Sequence, residues 1–341
     1  VATTHYYQGQ PIKETHEQVD LLTGSARWQQ VTAVDGTVAD ITYHYHRADG
    51  GEIFLGLMSR TEKHVHGELL NTVTLNRNQI DLAAKTVGTT VVFYHHGDPA
   101  RVFKRFEEHA DIVSGALQRR RLTAGDGSQA DVRYAYRRAQ GGRIFLGIAS
   151  ESVMRAVEDQ RLLQTSRLRA VDVASRTLHL ATSRYLNGRE DQIFLQLDEQ
   201  IDFVSGSAIH QEITAPGGPP ARVTVDYRYE RSLGGNIFLG LDSEATTHVN
   251  DRLLDVSLLD PTRIDLARQT VHRSVTFYYQ GDIRQVFKQV EQDRDIISGS
   301  LRAEQVTAGD GTIGVMTHDY DRRQGGDIFL GLAWRMALSV D

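Results

Sequence analysis

The sequence predicts an all-β protein: a closed β-propeller of eight four-stranded blades of about 45 residues, arranged as four tandem repeats of about 91. Three observations carry this prediction. One octapeptide pattern recurs four times, Gly-marked turns separate short β-prone stretches at regular intervals, and the two chain ends read as parts of one interrupted repeat.

The octapeptide is Gly50-Gly51-Glu52-Ile53-Phe54-Leu55-Gly56-Leu57. It returns from Gly141 to Ile148, from Gly234 to Leu241 and from Gly325 to Leu332, at spacings of 91, 93 and 91 residues. A second element lies between these copies. Asp20-Leu21-Leu22-Thr23-Gly24 recurs in related form from Asp111, Asp202 and Asp295, so each repeat has two halves. A degraded Ile-Phe-Leu copy at Ile193-Phe194-Leu195 suggests that the halves share an ancestor. The repeats are placed at 27–117, 118–208, 209–301 and 302–341 joined to 1–26, in a single domain over 1–341. No Pro- or Ser-rich linker divides them.

Each half reads as a meander. Asp35-Gly36, Asp126-Gly127 and Asp310-Gly311 predict type I′ hairpin turns, with both central residues at positive φ. The third repeat carries Pro216-Gly217-Gly218-Pro219-Pro220 instead. Ile41–His46 follows as a strand of β-branched and aromatic residues. The Gly-Gly pair is expected to turn the chain into a further strand, Ile53–Leu57. The polar segments 60–67, 151–160 and 243–252 are expected to hold a helical turn each. A last strand then begins at Leu69-Leu70, Leu162-Leu163 and Leu253-Leu254.

The spacing from Leu57 to Asp81, Ile148 to Asp172 and Leu241 to Asp265 is 24 in every case. Joining Ser339-Val340-Asp341 to Val1-Ala2-Thr3 restores a shortened version of the same passage. The termini are therefore expected to meet in one blade and clasp the ring shut.

With 341 residues, 40% of them hydrophobic, the chain can bury a sizeable core. Its net charge of -6 argues against nucleic acid or an anionic membrane as the main partner. No apolar run approaches the ~20 residues of a membrane span. Cysteine is absent, which removes disulfides, thiolate metal sites and Cys nucleophiles together. The first residue is Val1 and not Met, from which upstream removal and secretion are expected, with a soluble cytoplasmic protein as the alternative.

Two residue types recur in register before each Gly-Gly pair. Tyr45, Tyr136, Tyr229 and Tyr320 stand five positions before it; Arg47, Arg138, Arg231 and Arg322 stand three before it. Positions two apart on a strand share a face. Tyr beside Arg suits a sugar ring, the aromatic face stacking on its apolar side while the guanidinium binds hydroxyls. The competing expectation is structural, with Tyr packed between blades and Arg paired to a repeated acid such as Asp111 or Asp202. Tyr43, Tyr134 and Tyr227 extend the row, and His318 breaks it. Tyr6, Tyr94, Tyr185 and Tyr278 precede turn glycines and are expected to bury their rings and bond across the sheet.

The repeated Asp of the second element is expected to accept backbone N–H groups in a turn. Calcium is the alternative, although no Asp-x-Asp-x-Asp-Gly loop occurs. Nine of the fourteen histidines precede residue 110, including His44, His46, His64, His66, His95 and His96. They drift freely between copies, as a solvated face does, and no metal is assigned. There is no Gly-x-Ser-x-Gly elbow, phosphate loop or His-Glu-x-x-His.

These observations lead to a multivalent, non-enzymatic, lectin-like protein without a cofactor. It would bind glycans or another small repeated ligand at up to four equivalent sites near the Tyr/Arg pairs. The alternative is a propeller hydrolase or lyase with one axial active site built from the His-rich first repeat.

Overall fold

A computed structural model describes residues 1–216 and 222–340. Of the Pro216–Pro220 turn only Pro216 is among them.

Two leading strands, β1 (Ala2–Tyr7) and β2 (Gln10–Val19), precede three units of six strands. The first unit holds β3 (Ala26–Thr32), β4 (Val38–His44), β5 (Arg60–Val65), β6 (Glu68–Asp81), β7 (Thr86–Tyr94) and β8 (Val102–Asp111). In the second unit the strands are β9 (Leu117–Thr123), β10 (Gln129–Ala135), β11 (Glu151–Ala156), β12 (Leu162–Asp172), β13 (Thr177–Tyr185) and β14 (Ile193–Asp202). The third runs through β15 (Ala208–Thr214), β16 (Val223–Arg228), β17 (Glu244–Val249), β18 (Arg252–Asp265), β19 (Thr270–Tyr278) and β20 (Val286–Asp295). The last three, β21 (Leu301–Thr307), β22 (Ile313–Asp319) and β23 (Arg335–Val340), form the fourth unit.

All 23 strands belong to one antiparallel sheet in which each pairs with its neighbours in sequence. This corrects the propeller. A blade ends where pairing ends, but here pairing runs on from β2 to β3, β8 to β9, β14 to β15 and β20 to β21. The physical reason lies in the repeated Asp motif. Asp111 Oδ1 accepts from the N–H groups of Val113 and Ser114 at 3.0 and 2.7 Å, while Asp111 N–H donates to Ala116 O at 2.8 Å. The expected Asp turn is present, and it is a hairpin that joins one unit to the next. Nor do the end strands pair: among the described residues β1 pairs only with β2 and β23 only with β22, so the sheet does not close into a ring.

The sheet coils instead, with two units to a turn. Side chains about two units apart in sequence touch, as when Asp202 accepts from Val34 N–H at 3.1 Å and Asp295 from Gly125 N–H at 2.7 Å. The third unit thus sits on the first, and the fourth on the second. The cores lie at these joints. One gathers Val31, Ala33, Val65, Leu70 and Phe103 of the first unit around Ile237, Phe238 and Leu239 of the third. Another places Ile328, Phe329 and Leu330 against Ala124, Ala130, Ala156 and Leu163.

Three local expectations also change. The Asp-Gly loops are hairpins, but only the glycine is left-handed (Gly36 φ 84°, Gly127 φ 85°, Gly311 φ 89°). Asp35 keeps ordinary backbone angles because its carboxylate accepts from Thr37 N–H at 2.8 Å, which suits a type I turn closed by a glycine bulge. The polar segments expected to turn helically are β5, β11 and β17. The octapeptide is not a strand.

It folds as a closed loop. Glu52 and Leu57 exchange backbone hydrogen bonds at 2.7 and 3.1 Å, and Ile53–Leu55 makes one 3-10 turn between them. Gly50 sits at φ 84°, and a Cβ on Gly51 would lie 2.6 Å from Ser59 N, so neither position accepts a side chain without strain. Ser59 Oγ donates to His44 O and accepts from His46 N–H, both at 3.0 Å, bracing the loop from behind. Ser150 and Ser243 do the same in the next two units. The Ile-Phe-Leu segment then projects from the edge of the strip as an apolar knob.

Candidate functional site

The four repeated tyrosines have one shared task. Tyr45, Tyr136, Tyr229 and Tyr320 donate their hydroxyl protons to the carbonyls of Ala26, Leu117, Ala208 and Leu301, at 2.8, 2.7, 2.8 and 2.5 Å. Each ties the end of one strand to the start of its neighbour. Burial raises the pKa of all four phenols, so they stay protonated and donating.

Their arginine companions do not share a strand face with them, because each begins a separate 3-10 turn. The four environments differ. Arg47 is solvent-exposed beside Glu52 at 3.3 Å, whereas Arg231 reaches across the joint to Glu68 at 3.1 Å. Arg322 is buried with Asp327, 3.2 Å away, and Arg161 shares that carboxylate at 3.2 Å. Arg138 is exposed, and its backbone carbonyl accepts from Arg143 at 3.3 Å. None of these partners is Asp111 or Asp202.

Of the second tyrosine set, Tyr94 and Tyr185 bond to Thr72 and Thr165 at 2.9 and 2.8 Å, while Tyr6 is exposed. The first-repeat histidines pair loosely, whereas His272 is buried between Asp293 and Glu291, each at 2.6 Å. The His44 and His46 rings stack at 6.2 Å, and burial, with help from His96 and Arg101, pushes His95 down to about 4. Among the described residues no three His, Asp or Glu side chains converge as a metal-binding set. No helix there is long and apolar enough to cross a membrane.

Sequence reasoning missed two arrangements. The first is a polar rung repeated across adjacent strands. Gln29 donates to Glu17 at 2.5 Å and accepts from Tyr43 at 3.1 Å; Gln211 donates to Glu199 at 2.7 Å and accepts from Tyr227 at 2.8 Å. Arg120 takes the same position over Glu108 at 2.7 Å. The signal was available: Glu17, Glu108 and Glu199 all stand three residues before the repeated Asp.

The second arrangement occurs in the third unit alone. A cavity of about 640 Å³ lies on the inner face of β15–β20 and reaches Phe103 and Lys104 of the turn below. Its polar lining includes Tyr227, Asp242, Asp255, Arg273, Gln292 and Arg294. Arg273 pairs with Asp242 at 2.6 Å and donates to Asp242 O at 2.7 Å and Ser257 Oγ at 3.2 Å. Burial raises the pKa of Asp242 against the pull of Arg273, and it raises that of Asp255. Burial lowers that of Arg294, and the like charge of Arg273 adds to this. Arg294 is held by Gln292 Oε1 at 2.8 Å and, among the described residues, has no carboxylate within ion-pair distance. Lys104 Nζ donates to Leu239 O and sits 4.8 Å from the Phe93 ring centre. Burial is the main cause that brings its pKa down to about 7.

These charges break the repeat. Asp242 stands where the other copies carry Met58, Ala149 and Ala333, and Arg273 where they carry Thr89 and Leu180. Comparison of copies at these columns marks Asp242 and Arg273 as departures from the repeat.

No family model matches the chain, and no curated protein does. Among solved structures, the chain is similar to one described as TcdB2-TccC3 without its hypervariable C-terminal region, at 11% identity over 93% of this chain and 20% of that one, with a TM-score of 0.20. It is also similar to a TcdB2-TccC3-Cdc42 structure, at 11% identity over 92% of this chain and 17% of that one, with a TM-score of 0.22. The chain thus spans about a fifth of the length of these structures, and similarity at this level assigns neither fold nor function.

Proposed function

We propose that this chain is a non-enzymatic binding protein for a small, polar, hydroxyl-rich ligand such as a glycan, held in the third-unit cavity. The observation that carries this reading is a pair of opposite charges with few partners, Arg294 and Asp255, in a cavity large enough for a saccharide. Burying charge is costly unless it is paired, and a ligand that satisfies both groups recovers that cost. Tyr227 and Phe277 supply flat apolar surface beside them.

A four-site lectin using the Tyr/Arg pairs is a distinct proposal, and a secreted location would suit either version. One site per chain is favoured because the four arginines stand in unlike surroundings, whereas the cavity cluster occurs once. A glycan array followed by calorimetry tests both. The expected result is a stoichiometry of one, with binding lost in Arg294→Ala and in Asp255→Asn and retained in Arg138→Ala. Four equal sites would replace this reading with the four-site version. No binding at millimolar glycan would remove both.

A further inference from the structure

The Ile-Phe-Leu knob of the third unit fills a socket on the first, and that of the fourth fills one on the second. The first-unit socket is formed by Val65, which ends β5, Leu70, third in β6, and Phe103, second in β8. The same positions in the third unit are Val249, Leu254 and Phe287. There the socket lies open: Phe103 is 2% exposed under its knob, but Phe287 is 68% exposed. At the opposite end of the coil the first-unit knob is bare, with Phe54 and Leu55 73% and 75% exposed. The 341 residues therefore present an exposed socket at one end of the coil and an exposed knob at the other.

The charges beside them match too. At the joint between second and fourth units, the acid at the third position of the octapeptide, Asp327, pairs with Arg161, which immediately precedes the socket strand β12 and accepts from the backbone N–H of Ala156 at the end of β11. The corresponding residues of the open knob and open socket are Glu52 and Arg252. They repeat the same acid–arginine pairing.

We propose that copies of this chain stack head to tail, the Phe54–Leu55 knob of one entering the Leu254–Phe287 socket of the next, with Glu52 facing Arg252. A second copy is the occupant because the molecule already makes this contact with itself twice. The contact joins two different surfaces, so it is heterologous and does not saturate at a dimer. A copy docked in this way continues the coil in phase.

Sedimentation velocity over a concentration series tests this. The wild-type chain is expected to grow beyond dimer as concentration rises. Phe54→Asp, which lacks a working knob, and Phe287→Asp, which lacks a working socket, are each expected to remain monomeric, with unchanged circular dichroism because both side chains are exposed. Mixed together, the two variants retain one good knob and one good socket and should form a 1:1 heterodimer that grows no further. Glu52→Arg and Arg252→Glu are each expected to weaken assembly at least tenfold, and the double exchange to restore it. A wild-type chain monomeric at high micromolar concentration overturns the proposal. So does a closed dimer that both Asp variants still form, or a mixture that stays monomeric.

Discussion

The same octapeptide has opposite fates in the lower and upper turns of the coil. Phe238 and Leu239 are 6% and 5% exposed, whereas Phe54 and Leu55 stand in solvent, although the loops differ at one position only and share their closing backbone hydrogen bonds and their left-handed final glycine. The difference teaches that the repeat encodes a connector. Local chemistry builds the knob, and burial depends on whether another turn lies beneath it.

The largest expected effect breaks this comparison directly. Phe238→Ala should cost about 3–5 kcal/mol, as removal of a core aromatic does, while Phe54→Ala should stay within about 0.5 kcal/mol. Equal losses in chemical denaturation would show that the turns do not stack as described.

The next largest separates two lysines at matching positions. Lys104 lies under the third-unit knob with its pKa lowered, chiefly by burial, to about 7, whereas Lys288 is exposed over Phe277 at 4.5 Å. Between pH 7 and the ordinary lysine value of 10.5 the unfolded chain holds the Lys104 proton and the folded chain has released it. The unfolded state therefore binds more protons in that window, and Lys104 makes stability rise with pH. Below pH 7 both states are protonated and the cost of burying the charge is fully present. Lys104→Met should flatten this slope by a few kcal/mol between pH 6 and pH 10, and Lys288→Met should leave it unchanged. Denaturation at the two pH values decides.

The smallest effect sharpens the comparison by showing none. Tyr45→Phe in the lower turn and Tyr229→Phe in the upper should each cost about 1 kcal/mol, because both hydroxyls make the same strand-to-strand bond. A loss confined to Tyr229 would tie that tyrosine to the joint and not to the repeat.

Much of the fold was legible in the sequence: its period, its β class, its hairpin glycines and the turn-forming role of the repeated Asp. Closure was not. A strand followed by a Gly-marked turn looks alike whether the next strand pairs with it or begins a new blade, and only the hydrogen bonds of Asp111 and Ala116 distinguish the two. Ile53–Leu55 was misread because β-prone residues override nothing when two flanking positions, Gly51 against Ser59 and Gly56 at φ 65°, force a loop. The candidate site was half legible. Tyr45 and Arg47 recur conspicuously, yet only the tyrosine makes the same strand-to-strand bond in every unit, and the arginines stand in unlike surroundings. The cavity charges Asp242 and Arg273 occur once, and nothing in a single strand shows that β16 to β20 curve them toward one space.

Because every ladder joins strands adjacent in sequence, the sheet can zip up one hairpin at a time, with only short loops to close at each step. The joints are different: Phe238 lies two units on from Val65, Leu70 and Phe103, so it reaches their socket only when the third unit folds back over the first. Early growth of the sheet is thus fast and local, and the cooperative locking of the structure waits for the coil to complete its first full turn.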